Sequence, residues 1–194
     1  MKRWFKETWL ATVLLAAVMM MVLTVLIVTV VDAFATDMLP TSGISWNVDL
    51  QRAEAALAAG DVAAALRHWR EAHAAALGTR RWEGLVEAGD LYRRIGVRAG
   101  FHAAAVARAR DCYLTALLRA RGEGSLDGVL RATEAFIDLG DAAVVERALE
   151  IARGVAAHDV DPRAQARVDL MAAHWAARSA AARDGAFTAA GSVR

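Results

Sequence analysis

The chain has 194 residues, 57% of them hydrophobic and 23% charged, with a formal net charge of +1. That balance excludes a strongly basic nucleic-acid binder, whose footprint needs a large excess of Lys and Arg. The single cysteine, Cys112, excludes an intrachain disulfide and reads as a small apolar side chain within a helix.

Taken in chain order, the first feature is "LATVLLAAVMMMVLTVLIVTVV", residues 10–31, with no charge in 22 positions. As a helix it spans roughly 33 Å, which matches the hydrocarbon core of a bilayer. Lys2, Arg3 and Lys6 precede it and Asp32 and Asp37 follow. The basic excess keeps residues 1–9 in the cytoplasm as a flank and sends the rest across. Trp4, Phe5 and Trp9 stand where an interfacial aromatic belt belongs. "AFA" at residues 33–35 resembles a signal-peptide cleavage site, but a signal-peptide core is about 7–15 residues, so the longer run favours an uncleaved transmembrane anchor. Both readings export the remainder. Every basic residue after Lys6 is Arg, the mark of a high-GC genome, and the expected location is a bacterial inner membrane, single-pass, with the C-terminal part periplasmic. Residues 32–45, including the polar "TDMLPTSGIS", read as a tether.

Residues 46–183 read as an all-α domain. Only Pro40 and Pro162 occur, so long helices escape ring clashes, and no segment sustains strand-type alternation. A repeat is visible. Gly60-Asp61 is followed by Ala65, Trp69 and Ala72; Gly140-Asp141 by Val145, Leu149 and Ala152 at the same spacings. Between them Ala109, Tyr113 and Ala116 repeat the small–large–small pattern. The helices ahead also correspond: Leu85, Ala88, Gly89 and Tyr92 before Gly96 match Val129, Ala132, Thr133 and Phe136 before Gly140. This reading ends the first helix of the middle hairpin at Gly96, with the extra "VRAGFHAA" lengthening the connection or the helix. Small residues at a crossing let two backbones approach, and a large one four positions on fills the next layer.

On these residues the chain resembles the tetratricopeptide repeat over about residues 46–155. The middle repeat departs by its insertion, the first has Asp49 and Arg52 at positions expected to be apolar, and the usual proline between repeats is missing. The resemblance implies a small α-solenoid of about three helical hairpins, completed by a C-terminal helix over 162–183 that Asp161 and Pro162 would start. Residues 184–194 carry no periodicity and read as a loose tail.

Chemistry-bearing motifs are sparse. His68 and His73 lie about 140° apart around a helix, poor geometry for a shared metal, and the carboxylates fall on polar faces. No metal, cofactor, small-molecule substrate or catalytic residue is expected, and so no enzyme. "GEGSLDG" at 122–128 reads as a turn with an N-cap. Charge is unevenly spread: residues 80–121 hold nine Arg against four acids, and residues 122–162 three against nine. Arg93, Arg94, Arg98, Arg108 and Arg110 are candidate contacts for an acidic partner or lipid headgroups.

The expectation is a membrane-anchored scaffold or assembly factor whose partner is another envelope protein or complex. By resemblance, the partner would lie in the groove formed by the first helix of each hairpin. The alternative is an accessory structural subunit of a larger membrane complex, for example an electron-transfer complex, docked through its transmembrane helix.

Overall fold

The computed structural model describes residues 42–191, with side chains from Trp46 to Arg183. The expected anchor at 10–31, its flank and most of the tether lie outside the described residues. No described helix is long and apolar enough to cross a membrane.

Among the described residues there are seven helices and no strand: α1 (Ser42–Ala58), α2 (Val62–Gly78), α3 (Glu83–Ala99), α4 (His102–Gly122), α5 (Leu126–Leu139), α6 (Ala142–Ala156) and α7 (Ala164–Gly191). Each packs on the next. The odd-numbered helices also touch in series, α1 to α3 to α5 to α7, and α4 touches α6. This is the packing of helical hairpins stacked in chain order, compatible with a helical repeat fold.

Three hairpin turns share one chemistry. Gly60, Gly100 and Gly140, evenly spaced along the chain, have φ of +82°, +78° and +73°. The following residue donates its N–H back to the helix: Asp61 to Ala56 O at 2.9 Å, Phe101 to Gly96 O at 3.0 Å, Asp141 to Phe136 O at 3.2 Å. Left-handed glycine with this hydrogen bond ends the first helix without leaving its last carbonyls bare. Asp61 and Asp141 then start the second helix, accepting from Ala64 N at 2.8 Å and Val144 N at 3.4 Å. Phe101 cannot cap and instead lies against Tyr92, with ring centroids 5.7 Å apart.

Gly96 does not end a helix. It is buried inside α3, which continues to Ala99, because Ala105 of α4 occupies the space a Cβ on Gly96 would need. The extra residues of the middle hairpin divide evenly about the true turn at Gly100. Gly89 stands one helical turn farther ahead of Gly100 than its counterpart Thr133 stands ahead of Gly140. Tyr113 likewise stands one turn farther beyond Gly100 than Trp69 stands beyond Gly60, or Leu149 beyond Gly140. The second arm, α4, has 21 residues against 17 in α2 and 15 in α6, whereas α3 has 17, as α1 has, against 14 in α5.

Between hairpins the solutions differ. Gly124 is left-handed, and Ser125 caps α5 by accepting from Gly128 N at 3.2 Å. No glycine of this kind follows α2. Instead Arg119, reaching from α4, donates to Ala76 O (2.9 Å), Thr79 O (2.5 Å) and Leu77 O (2.9 Å), placing a cation on the negative end of the helix. At the chain ends, α1 starts at Ser42, inside the expected tether. The α7 backbone is helical to Gly191, past the expected limit at 183, in keeping with the high helix propensity of its alanines.

Two glycine substitutions should act in opposite directions. Gly154, in α6, faces nothing within 4 Å, so Gly154→Ala should stabilise by up to about 1 kcal/mol through helix propensity. Gly96→Ala gains the same propensity but forces a methyl into Ala105, and should destabilise by about 1–3 kcal/mol. Urea melts of the two variants check both signs.

Candidate functional site

The residues singled out for repeat packing form the interior. Ala65, Trp69, Ala72, Ala88, Gly89, Ala109, Tyr113, Ala116, Phe136, Val145, Leu149 and Ala152 are buried, and Tyr92 is partly so. The polar atoms of Trp69 and Tyr113 are spoken for. Trp69 Nε1 donates to Ala88 O at 2.7 Å, tying α2 to α3, while its ring meets Tyr92 at 4.2 Å. The Tyr113 hydroxyl donates to Asp90 Oδ1 at 2.6 Å, and Arg131 donates to Asp90 Oδ2 at 2.5 Å. Asp90 thus links α4, α3 and α5. Tyr113 and Phe136 meet edge to face at 6.0 Å.

One of the clefts among the described residues, of about 580 Å³, lies along α6 beside the end of α4; another is a groove of about 720 Å³ along the first helices of the three hairpins, bounded at one side by the start of α4. Glu54 and Leu57 come from α1, Asp90, Arg93, Arg94, Val97 and Arg98 from α3, His102 from α4, Arg131 and Asp138 from α5. Three of the five candidate arginines are here. Arg108 and Arg110 are not, because they project from α4, a second helix. Arg108 lies over the Trp69 ring at 6.0 Å and Arg110 donates to Asp141 at 2.6 Å. The five do not make one patch.

Within the groove most charges are paired: Arg94 with Glu54, Arg131 with Asp90, and Asp138 with Arg178 at 3.1 Å. Arg93 and Arg98 have no carboxylate partner among the described residues; the Arg93 guanidinium lies near the Tyr113 hydroxyl. Sequence reasoning missed Glu54, Leu57, Asp90, Val97, His102, Arg131 and Asp138. A signal was available: Glu54–Arg94, Asp127–Arg167 and Asp138–Arg178 are all separated by the same interval as the turn glycines.

A second polar cluster joins α1 to α2. Asp49, His68 and Glu71 bring one ligand atom each within 4.8 Å of one another, carboxylates that the separation of His68 from His73 did not bring to notice. Arg52 donates to Asp49 at 3.1 Å and His68 Nδ1 lies 3.0 Å from Glu71 Oε2, so the cluster is held as surface ion pairs.

The ionisable groups that depart from ordinary behaviour do so mainly through burial. Burial pushes the Cys112 thiol up to about 11. Burial, then the Asp90 carboxylate, raises Tyr113. Burial and then neighbouring acids, Asp90 first, raise Glu87. Arg81, by donating to Glu83, lowers that carboxyl. His73 stacks on Trp69 at 4.9 Å, and its pKa is lowered from 6.5 by burial and then by repulsion from Arg108.

Two consequences are measurable. Cys112 should resist alkylation in the native protein, because the thiolate is the nucleophile, and label only as denaturant opens the fold; rapid labelling without denaturant would contradict this. For His73 the folded state binds fewer protons than the unfolded state once pH drops below 6.5. The contribution of this residue is therefore intact above that pH and declines as pH falls through it. The stability difference between the wild type and His73→Gln, followed by urea melts across that range, should shrink with acidification.

Compared with known protein families, curated proteins and solved structures, the chain matches none of them.

Proposed function

We propose that the protein is a non-enzymatic interaction scaffold or assembly factor, held in a bacterial inner membrane by residues 10–31, whose periplasmic tetratricopeptide-like domain receives a segment of an envelope protein. The observation that carries this reading is the groove. It runs along the first helices of consecutive hairpins and has a volume of about 720 Å³. The interior supports the same view: His73, Cys112 and Tyr113 are committed to packing rather than turned toward a cleft. The small–large–small spacing at three hairpins supports the tetratricopeptide likeness, and the charge-free run at 10–31 supports the anchor. Confinement to the membrane surface would raise the effective concentration of the domain near an envelope partner.

The test separates this reading from that of an accessory subunit docked through its membrane helix. Residues 10–31 are exchanged for an unrelated apolar helix, and the partners that cross-link to the full chain are compared in detergent. Retained partners support the groove; loss of all partners assigns association to the membrane helix and overturns the scaffold reading.

A further inference from the structure

We propose that the turn end of the middle hairpin, around Val97, Arg98 and His102, is the recognition element of the groove, and that its occupant is an acidic, apolar-faced segment of a partner protein. The inference rests on the scaffold reading and goes beyond it by naming which residues select the partner and by what chemistry.

The turn end of the middle hairpin is formed by the last residues of α3, Val97–Ala99, and by the start of α4 at His102. Three of its residues, Val97, Arg98 and His102, line the groove, and all three are exposed. Val97 is 65% exposed. It stands four residues from Arg93 on one helix face, with Arg94 and Arg98 in the adjacent row. Half-buried Leu57 faces the same groove from α1. The region therefore offers apolar surface flanked by cations.

Charge decides the sign of the occupant. Arg94 and Arg131 are neutralised by Glu54 and Asp90, and Asp138 by Arg178. What remains among the described residues is Arg93 and Arg98, with His102 beside them, so a segment that places carboxylates here and an apolar side chain over Val97 and Leu57 satisfies both needs. Shape separates a protein segment from an anionic bilayer: Arg93 stands half-buried within the groove, where a segment of chain can lie and a flat sheet of headgroups cannot.

The probe is a fluorescent amphipathic peptide of Glu and Leu, with a Lys and Leu counterpart, titrated against the full chain in zwitterionic nanodiscs and against empty discs. The acidic peptide should bind at least about tenfold more tightly than the basic one, and added salt should weaken it. Arg93→Glu with Arg98→Glu should cost about tenfold or more and remove most of the salt dependence. Val97→Ser should weaken binding by several-fold and leave the salt dependence in place. These positions are at the surface, and an unchanged helical spectrum confirms that folding is intact. Equal binding of the two peptides, or binding unaffected by the Arg93/Arg98 reversal, overturns the inference. So does a charge-reversal-sensitive attachment to phosphatidylglycerol vesicles without binding of the acidic peptide. If cross-linked partners persist in the reversal variant while peptide binding was never present, this inference falls and the scaffold reading stands.

Discussion

The close approach of helix backbones at side-chain-poor positions is the constraint on which the rest of the structure depends. On α3, Gly89 lies beneath the Tyr113 ring and Gly96 beneath Ala105; Gly128 on α5 lies against Ala120 and Trp82. A methyl at any of these would press on a buried atom with nowhere to move, since interiors are packed close to crystal density. The absence of side chains there lets α3 and α4 run side by side for the full length of the middle hairpin. It also lets large residues such as Tyr113 and Phe136 fill the next layer.

Once the helices are that close, polar groups bridge them over short distances. Trp69 reaches the Ala88 carbonyl, Tyr113 and Arg131 share the two oxygens of Asp90, and Arg119 gathers the exposed carbonyls at the end of α2. Ion pairs and carbonyl contacts of the same kind offset part of the charge imbalance along the chain. Of the arginines concentrated in the middle, Arg81 and Arg94 meet acids, Arg108 covers Trp69, Arg110 meets the N-cap Asp141 and Arg119 meets carbonyls. The acids concentrated after residue 122 receive arginines from neighbouring helices, as Asp127 and Asp138 do from α7. Arg94 and Arg110 pair across hairpins, while Arg93 and Arg98 line the groove.

The candidate site was legible in part, and the limit has a physical cause. Arg93, Arg94 and Arg98 could be singled out because they share a helix and a local charge excess. Arg108 and Arg110 carry the same local signal but come from the other layer. The acids and apolar residues opposite Arg93 and Arg98 belong to helices a whole repeat away in the chain, and local composition cannot register what a stacking interaction brings together. The equal interval shared by the turn glycines and the ion pairs was the one long-range trace.

By itself the sequence determined the all-α class, the recurring small–large–small spacing and part of the interior, Trp69, Tyr113 and Phe136 among it. These follow from helical periodicity among residues close together in the chain. The tertiary structure decided which glycine turns the chain and which admits a neighbour. Gly96 and Gly100 both suit a turn within their local sequence, and the arrival of Ala105 against Gly96 leaves the turn to Gly100. That choice carries α3 on to Ala99, because a helix ends where its backbone can leave the neighbour it packs against.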